Sequence, residues 1–492
     1  MNKRRIFLLL VIIVVNIITV NASTPNAVPK AAGTNFKVDG LRYRVKADNT
    51  LEIVPYGEFE NSDVASVDIP EKVTYQDYTY TVTSIGKEAF KSHFYKLESV
   101  TIPNSVTSIG AGAFSQCFWL TSVILPNGLT TIEEATFQFC SRLKSITIPK
   151  SVTTIGSYAF EYCGFESIMI PKNITSIGLL AFGACTNLRS IVVEGGNPVF
   201  DSRDNCNAII KSAHDELVVG CAGTVIPPNV KKIGISAFYN SSLTSLTIPA
   251  SVISIEIDAF NYCERLTSLI VEKGNPVFDS RDNCNAVIRT INNELVVGCN
   301  GTVIPETVTS IGEHAFLFCY DITEIAIPQS VIYIGEGAFQ QCRYLTEIDI
   351  PSGVTSIEPY TFYGCQSLTS VILPESLTSI GTEAFGFVRR LKDLYCKAAT
   401  PPTIPENLAY WLDPFENSVF YNCTLYVPDE SIDAYKADKL WGQFKNIVGL
   451  STTGVDKVTL TDCSKPRKTL VNGRLIISKK GKRYNLQGVE MK

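Results

Sequence analysis

Residues 97–117 read LESVTIPNSVTSIGAGAFSQC, and this stretch decides the fold because the chain keeps returning to it. The next two copies are LTSVILPNGLTTIEEATFQFC (120–140) and LKSITIPKSVTTIGSYAFEYC (143–163), with the same apolar positions. The repeat phenylalanines are Phe90, Phe114, Phe137, Phe160, Phe182, Phe238, Phe260, Phe316, Phe339, Phe362 and Phe385. They step by 22 to 24 residues, with two interruptions of 56. Self-similarity at such a period marks a stacked repeat architecture.

Each part of the unit has a physical reading. L-x-x-[IV]-x-[IVL]-P is a short strand with alternate residues facing inward. Proline ends it, because proline cannot donate to a ladder. V-T-x-I-G is a second extended piece that turns at glycine, and A-F packs inward. One unit cannot bury its apolar side alone. Stacked units bury one another, with parallel strands about 4.8 Å apart. The two long steps are themselves a repeat: GNPVFDSRDNCNA at 196–208 returns at 274–286, and ELVVGC at 216–221 returns at 294–299. Each adds one irregular coil without the A-F signature. Eleven regular units and two irregular ones give about thirteen coils, roughly 60 Å long.

The unit L-x-x-[IV]-x-[IL]-P-x-x-[VL]-T-x-I-G-x-x-A-F-x-x-C resembles the BspA-like leucine-rich-repeat family of bacterial surface proteins, typical of the Bacteroidota. The resemblance covers about residues 36 to 449. It implies a leucine-rich-repeat solenoid with parallel strands on one face and short extended or 3-10 segments and loops on the other. It also implies attachment to host extracellular proteins or to other bacteria. A β-rich N-terminal cap is expected up to residue 80, the solenoid over 81–396 and a mixed C-terminal cap over 397–449, with Trp411 and Trp441.

The termini carry an address. MNKRR followed by an apolar run from Ile6 to Val20 reads as a signal peptide cut after Ala22. The run is short for a membrane span of about 20 apolar residues, and no later stretch is apolar enough. Removing Lys3, Arg4 and Arg5 makes the mature chain more acidic. Residues 450–492 are basic and read as a linker and a hairpin, with turns at Asn472-Gly473 and Lys480-Gly481. This end resembles the C-terminal sorting segments of secreted Bacteroidota proteins. The alternative is a small hairpin packed on the cap. The expected location is extracellular or on the outer-membrane surface.

Composition narrows the function. The 492 residues are 45% hydrophobic and 18% charged, with a net charge of −5. That allows a large core and argues against a nucleic-acid binder, which usually carries a basic patch. Three histidines leave little room for histidine chemistry. There is no G-x-S-x-G, H-E-x-x-H or phosphate loop, and no cofactor motif. No metal site is expected either, because no C-x-x-C pair occurs. His93 sits where other repeats carry cysteine. His314 lies inside an ordinary repeat, five residues before Cys319, and His214 becomes Asn292 in the second irregular coil. The chain reads as non-catalytic.

Fifteen cysteines in an exported chain would ordinarily signal disulfides. Eight of them, from Cys117 to Cys365, sit three residues after a repeat phenylalanine. They are expected to stack as a reduced ladder. Stacked neighbours are close enough for bonding, but their side chains point the same way.

Candidate binding residues come from strand alternation. The residue between the last two apolar positions of each strand points outward, on the face expected to be concave. These residues are Thr101, Ile124, Thr147, Met169, Val192, Thr247, Ile270, Ala326, Asp349, Ile372 and Tyr395. The flanking serines give way to Glu324, Glu347 and Asp393, so the strip turns acidic near its C-terminal end. A second candidate is the pair of loops with Asp201, Arg203, Asp204 and Asp279, Arg281, Asp282. These loops could hold calcium, but EF-hand spacing and the closing glutamate are missing, which favours a capped structural turn. The sequence therefore predicts an adhesion or recognition protein that binds an extracellular host or bacterial protein, or a glycan. The alternative is a structural spacer or surface-layer component. A secreted hydrolase built on Glu347 and Asp349 lacks any surrounding pocket signal.

Overall fold

A computed structural model describes residues 28–55, 64–91, 96–404 and 413–451 in full. It gives backbone for 452–453, 467–471, 474–479, 482–484 and 490–491. The expected signal peptide, His93, Trp411, Cys463 and the turns at 472–473 and 480–481 lie outside the described residues.

The chain winds as a parallel-strand solenoid of about 15 turns with little helix. The L-x-x-[IV]-x-[IL] strands form one set of ladders. Ser99–Thr101 pairs in parallel with Ser122–Ile124, and Ser167–Ile170 with Ser190–Val193. The V-T-x-I pieces form a second set, in which Ile85 registers with Ile109, Ile132 with Ile155 and Ile155 with Ile177. Each coil therefore contributes two strand rungs and one tight A-F turn. Residues 145–148 and 324–327 keep the alternating exposure without joining a ladder.

In the regular coils the buried rungs bring like apolar residues together one coil later, as Val100 meets Val123 and Ile132 meets Ile155. The phenylalanine rings stack nearly parallel, with centroids 5.0 Å apart for Phe90–Phe114, 5.4 Å for Phe114–Phe137 and 5.6 Å for Phe137–Phe160. All four of these rings are fully buried. Burying a ring of this kind is worth about 1.5–3 kcal/mol in transfer free energy. The stack is a chain of nearest-neighbour contacts, as expected of a solenoid.

The structure holds more turns than the thirteen counted from the motif, because both ends contribute rungs without it. At the N-terminal end, Leu51–Ile53 pairs in parallel with Tyr78–Ile85. That strand runs across residue 80 from the cap sheet into the first regular coil. At the C-terminal end, Thr424–Val427 and Asn446–Gly449 extend the strand ladder beyond Asp393–Cys396. Phe415 extends the ring stack beyond Phe385, at 5.2 Å. Trp441 closes this end fully buried, its indole N–H donating to the Pro402 carbonyl at 2.9 Å.

The irregular coils are antiparallel excursions. Phe200–Asp201, Ile209–Lys211 and Glu216–Val219 pair antiparallel in series, and the last strand rejoins the parallel ladder through Leu217 and Ile233. The second copy does the same through Leu295 and Ile311. Asn197 fixes the entry to the first excursion. Its Nδ2 donates to the carbonyls of Pro171 and Ile174, and its Oδ1 accepts from the Val199 and Phe200 amides. Asn275 repeats all four bonds. These two asparagines were not singled out from the sequence, although both sit in the duplicated G-N-P-V-F-D phrase. The C-terminal segment forms a four-stranded antiparallel sheet from Arg467–Val471 to Glu490–Met491.

Candidate binding surfaces

The strand face presents the strip expected from alternation. Thr101, Thr147, Thr247 and Ala326 are exposed, and the aliphatic residues between them are too: Ile124 by 63%, Met169 by 62%, Ile270 by 48% and Val192 by 43%. Their chain neighbours Val123, Ile168, Ile191 and Leu269 are buried. One position departs from the expectation. Ile372 is 1% exposed, because it lies between the rungs of Asp349 and Tyr395. Asp349, Glu347 and Tyr395 are half-buried there. Tyr395 stacks on Tyr426 with centroids 4.5 Å apart, and the Tyr426 hydroxyl donates to Asp393 at 3.2 Å. Burial pushes the Asp349 carboxyl up from its usual range, with Lys397 opposing.

The D-S-R-D-N loops spend their charges internally. Arg203 donates Nε to Asp201 Oδ1 at 2.8 Å and Nη2 to Oδ2 at 2.6 Å, while its Nη1 reaches Asp215 at 2.9 Å. Arg281 bonds Asp279 in the same way and reaches Asn293 at 2.8 Å. Asp204 and Asp282 adopt left-handed backbone, with φ of 57° and 58°. Such an arrangement is a side-chain-capped turn. Among the described residues, no group of three or more His, Cys, Asp and Glu side chains is placed to hold a metal ion.

The cysteine ladder has a specific geometry. Along the regular coils the thiol points one coil back, at the carbonyl of the repeat phenylalanine: Cys117 to Phe90, Cys140 to Phe114, Cys163 to Phe137 and Cys185 to Phe160, at 3.5, 3.3, 3.2 and 3.2 Å, while Cys319, which follows an irregular coil, points at Gly298 instead. All fourteen cysteines among the described residues are free. Burial pushes the thiols of Cys117 and Cys185 up to about 12. A thiol that stays protonated is neither a nucleophile nor a metal ligand.

A third surface was not found from the sequence. In a regular coil the repeat phenylalanine follows its isoleucine rung by five residues, as Phe160 follows Ile155. In the irregular coils the corresponding position comes after three, at Gly220 behind Leu217 and Gly298 behind Leu295. Gly220 takes the phenylalanine's place in the backbone ladder, donating to the Ala237 carbonyl at 2.7 Å, and Gly298 donates to Ala315 likewise. The chain cuts the corner, and the outward part of the turn is missing. A cleft of about 370 Å³ opens at the first short-cut, between the turns at 178–184 and 234–239. A cleft of about 250 Å³ opens at the second.

The repeat unit, the two strand ladders and the stacked rings agree with what comparison shows. The BspA-type leucine-rich-repeat region matches in six copies over residues 74–189, 222–297 and 289–426. The chain belongs to the BspA-type leucine-rich-repeat family. Among solved structures, it is similar to a leucine-rich cell surface protein of Faecalibacterium prausnitzii. That protein is 24% identical, with 85% of this chain and 96% of that one covered and a TM-score of 0.43. A leucine-rich-repeat protein of Bacteroides ovatus is 27% identical over 80% of this chain and 99% of that one, at a TM-score of 0.39. The pneumococcal vaccine antigen PcpA is 19% identical over 85% and 99%, at 0.41. No curated protein matches the chain. In this BspA-type chain the repeated apolar residues are the ones that meet from coil to coil: Ile132, Ile155 and Ile177 form one column of rungs, and Phe114, Phe137 and Phe160 form the ring stack.

Proposed function

We propose that this BspA-type chain is an exported, non-catalytic recognition protein of a bacterial surface. It holds an extracellular protein against the outward strip of its strand ladder. The observation that carries this reading is the row Ile124, Met169, Val192 and Ile270, aliphatic residues exposed in register among threonines. Exposed apolar residues aligned on a rigid surface mark an interaction site more often than a solvated one. A flat row of this kind suits an extended protein surface better than a small molecule. The basic and apolar leader and the family's place among bacterial surface proteins support the exported location. No helix among the described residues is long and apolar enough to cross a membrane.

The test is a binding screen of the mature chain against host matrix proteins, bacterial surface proteins and glycans, read by a biosensor. A saturable interaction weakened at least about tenfold by Thr147→Arg or Thr247→Arg is expected, since an interface core does not accept a buried unpaired charge. Binding that ignores both substitutions would place the site elsewhere. Self-association without any heterologous partner would instead favour a structural spacer.

A further inference from the structure

The first short-cut coil leaves a gap shaped like one peptide group. In regular coils the turns are joined along the solenoid axis by backbone bonds. The peptide unit between Ser157 and Tyr158 shows the pattern: the Ser157 carbonyl accepts from Ala135 at 2.9 Å, and the Tyr158 N–H donates to Leu179 at 3.0 Å. At the next turn the chain has no such unit to offer. The N–H groups of Leu180 and Phe182 have no acceptor among the described residues, and the carbonyl of Ile235 has no donor. The two walls meet at the inner end, where Ala184 donates to Tyr239 at 3.1 Å. At the outer end they bound the cleft of about 370 Å³, which reaches the lower size range of ligand sites. One wall offers donors and the other an acceptor, with Leu179 and Ile235 exposed at the rim by 49% and 52%.

Charge distinguishes the two copies. Lys211 lines the first cleft and has no ion-pair partner among the described residues. Its neighbour Glu216 pairs instead with Lys232 at 3.3 Å. In the second copy the equivalent Arg289 is bonded to Glu294. The second cleft is also strapped: Asp258 and His314, which replace Leu180 and Ser236, bond across it at 3.2 Å. The duplicated coil is thus present in a wider form with a spare cation and in a narrower, strapped form without one.

We propose that the first short-cut cleft docks an extended peptide segment that carries an acidic residue followed by a small or aliphatic one. A single peptide group completes the interrupted ladder, its carbonyl accepting from Leu180 and its N–H donating to Ile235. This is strand addition on the scale of one rung. The acidic side chain reaches Lys211, and the following side chain lies against Leu179 and Ile235. This site is separate from the strand-face strip and does not depend on it.

The experiment is calorimetric titration of the full mature chain with a capped Ser-Glu-Val-Ser peptide. One saturable site is expected. Replacing Glu by Gln in the peptide, or Lys211 by Ala in the protein, should weaken binding at least about tenfold. N-methylation of the valine nitrogen should weaken it comparably, because it removes the N–H that reaches Ile235. The pair Leu180→Asp with Ser236→His imports the strap that the chain already uses in its second copy, and should abolish binding while circular dichroism stays unchanged. Thr147→Arg should have no effect. The proposal fails if the wild-type chain does not saturate, if N-methylation or Lys211→Ala changes nothing, or if Thr147→Arg weakens the peptide.

Discussion

The Sγ of Cys140 lies 3.3 Å from the carbonyl oxygen of Phe114, one coil back along the solenoid. The same relation joins Cys342 to Phe316 and Cys365 to Phe339, both at 3.3 Å. It explains how a column of neighbouring thiols stays unbonded. Each sulfur is aimed at a backbone oxygen, and desolvation holds it protonated. Reaction with a disulfide needs the thiolate, which this environment suppresses.

The fourteen described thiols are therefore expected to be inert to thiol reagents in the native chain at about pH 8, where burial keeps them protonated. Denaturation without reductant should release all fifteen cysteines to titration. Substantial labelling of the native protein, or only a few thiols after unfolding, would contradict a reduced ladder.

Phe137 stacks between Phe114 and Phe160 with no exposed surface. Phe137→Ala should destabilise by about 3–5 kcal/mol, the range for emptying a buried aromatic site. Phe139, two residues later, stacks on Tyr162 at 4.7 Å but is only half-buried. Phe139→Ala should cost markedly less in the same urea titration. Equal losses would mean that the ring column is not the main axis of stability.

Gly298 is the point where the second irregular coil rejoins the ring column. A Cβ there would sit 2.1 Å from Cε1 of Phe316. Gly298→Ala should push that ring off its stacking position on Phe339 and destabilise by about 1–3 kcal/mol, as overpacking does. Gly195→Ala meets nothing within 4 Å and serves as the neutral control. Thermal melts of the two variants make the comparison.

Most of the repeat was legible in the sequence because its side chains do the same thing in every coil. The phase, the inward phenylalanines, the thiol column and the outward Thr147 and Met169 all follow from one phrase and its alternation. What was not legible lacks the phrase. The Leu51–Ile53 rung and the Phe415 ring are supplied by residues with no repeat signature, so the turn count came out low. Ile372 obeys the alternation but is buried between the half-buried Asp349 and Tyr395 on either side. The clefts come from two missing residues between Leu217 and Gly220. That signal was present in both ELVVGC copies as a spacing of three instead of five. It speaks only when a rung has been assigned to Leu217.

The strap across the second cleft should titrate. Asp258 Oδ1 raises the affinity of His314 for a proton through their hydrogen bond, with Glu313 and Glu336 adding to it and partial burial opposing. The same bond holds the Asp258 carboxyl below its usual range. For a group raised in the folded state, the stabilisation is complete below its unfolded value, about 6.5 for histidine, and is lost as pH rises through the raised folded value. For Asp258 the sign is opposite: its contribution is present above the ordinary carboxylate range and is lost as pH falls through the lowered folded value. The strap is therefore strongest in mildly acidic solution, between those limits. Both side chains are partly solvent-exposed, at 25% and 33%, so screening limits the pair to about 1 kcal/mol or less. Melting temperatures of wild type and His314→Ser should differ most in mildly acidic solution and converge at alkaline pH, once the imidazole has lost its proton. A gap between the two proteins that does not change with pH would mean that His314 only packs against Asp258, and that the second cleft is narrowed by shape instead of charge.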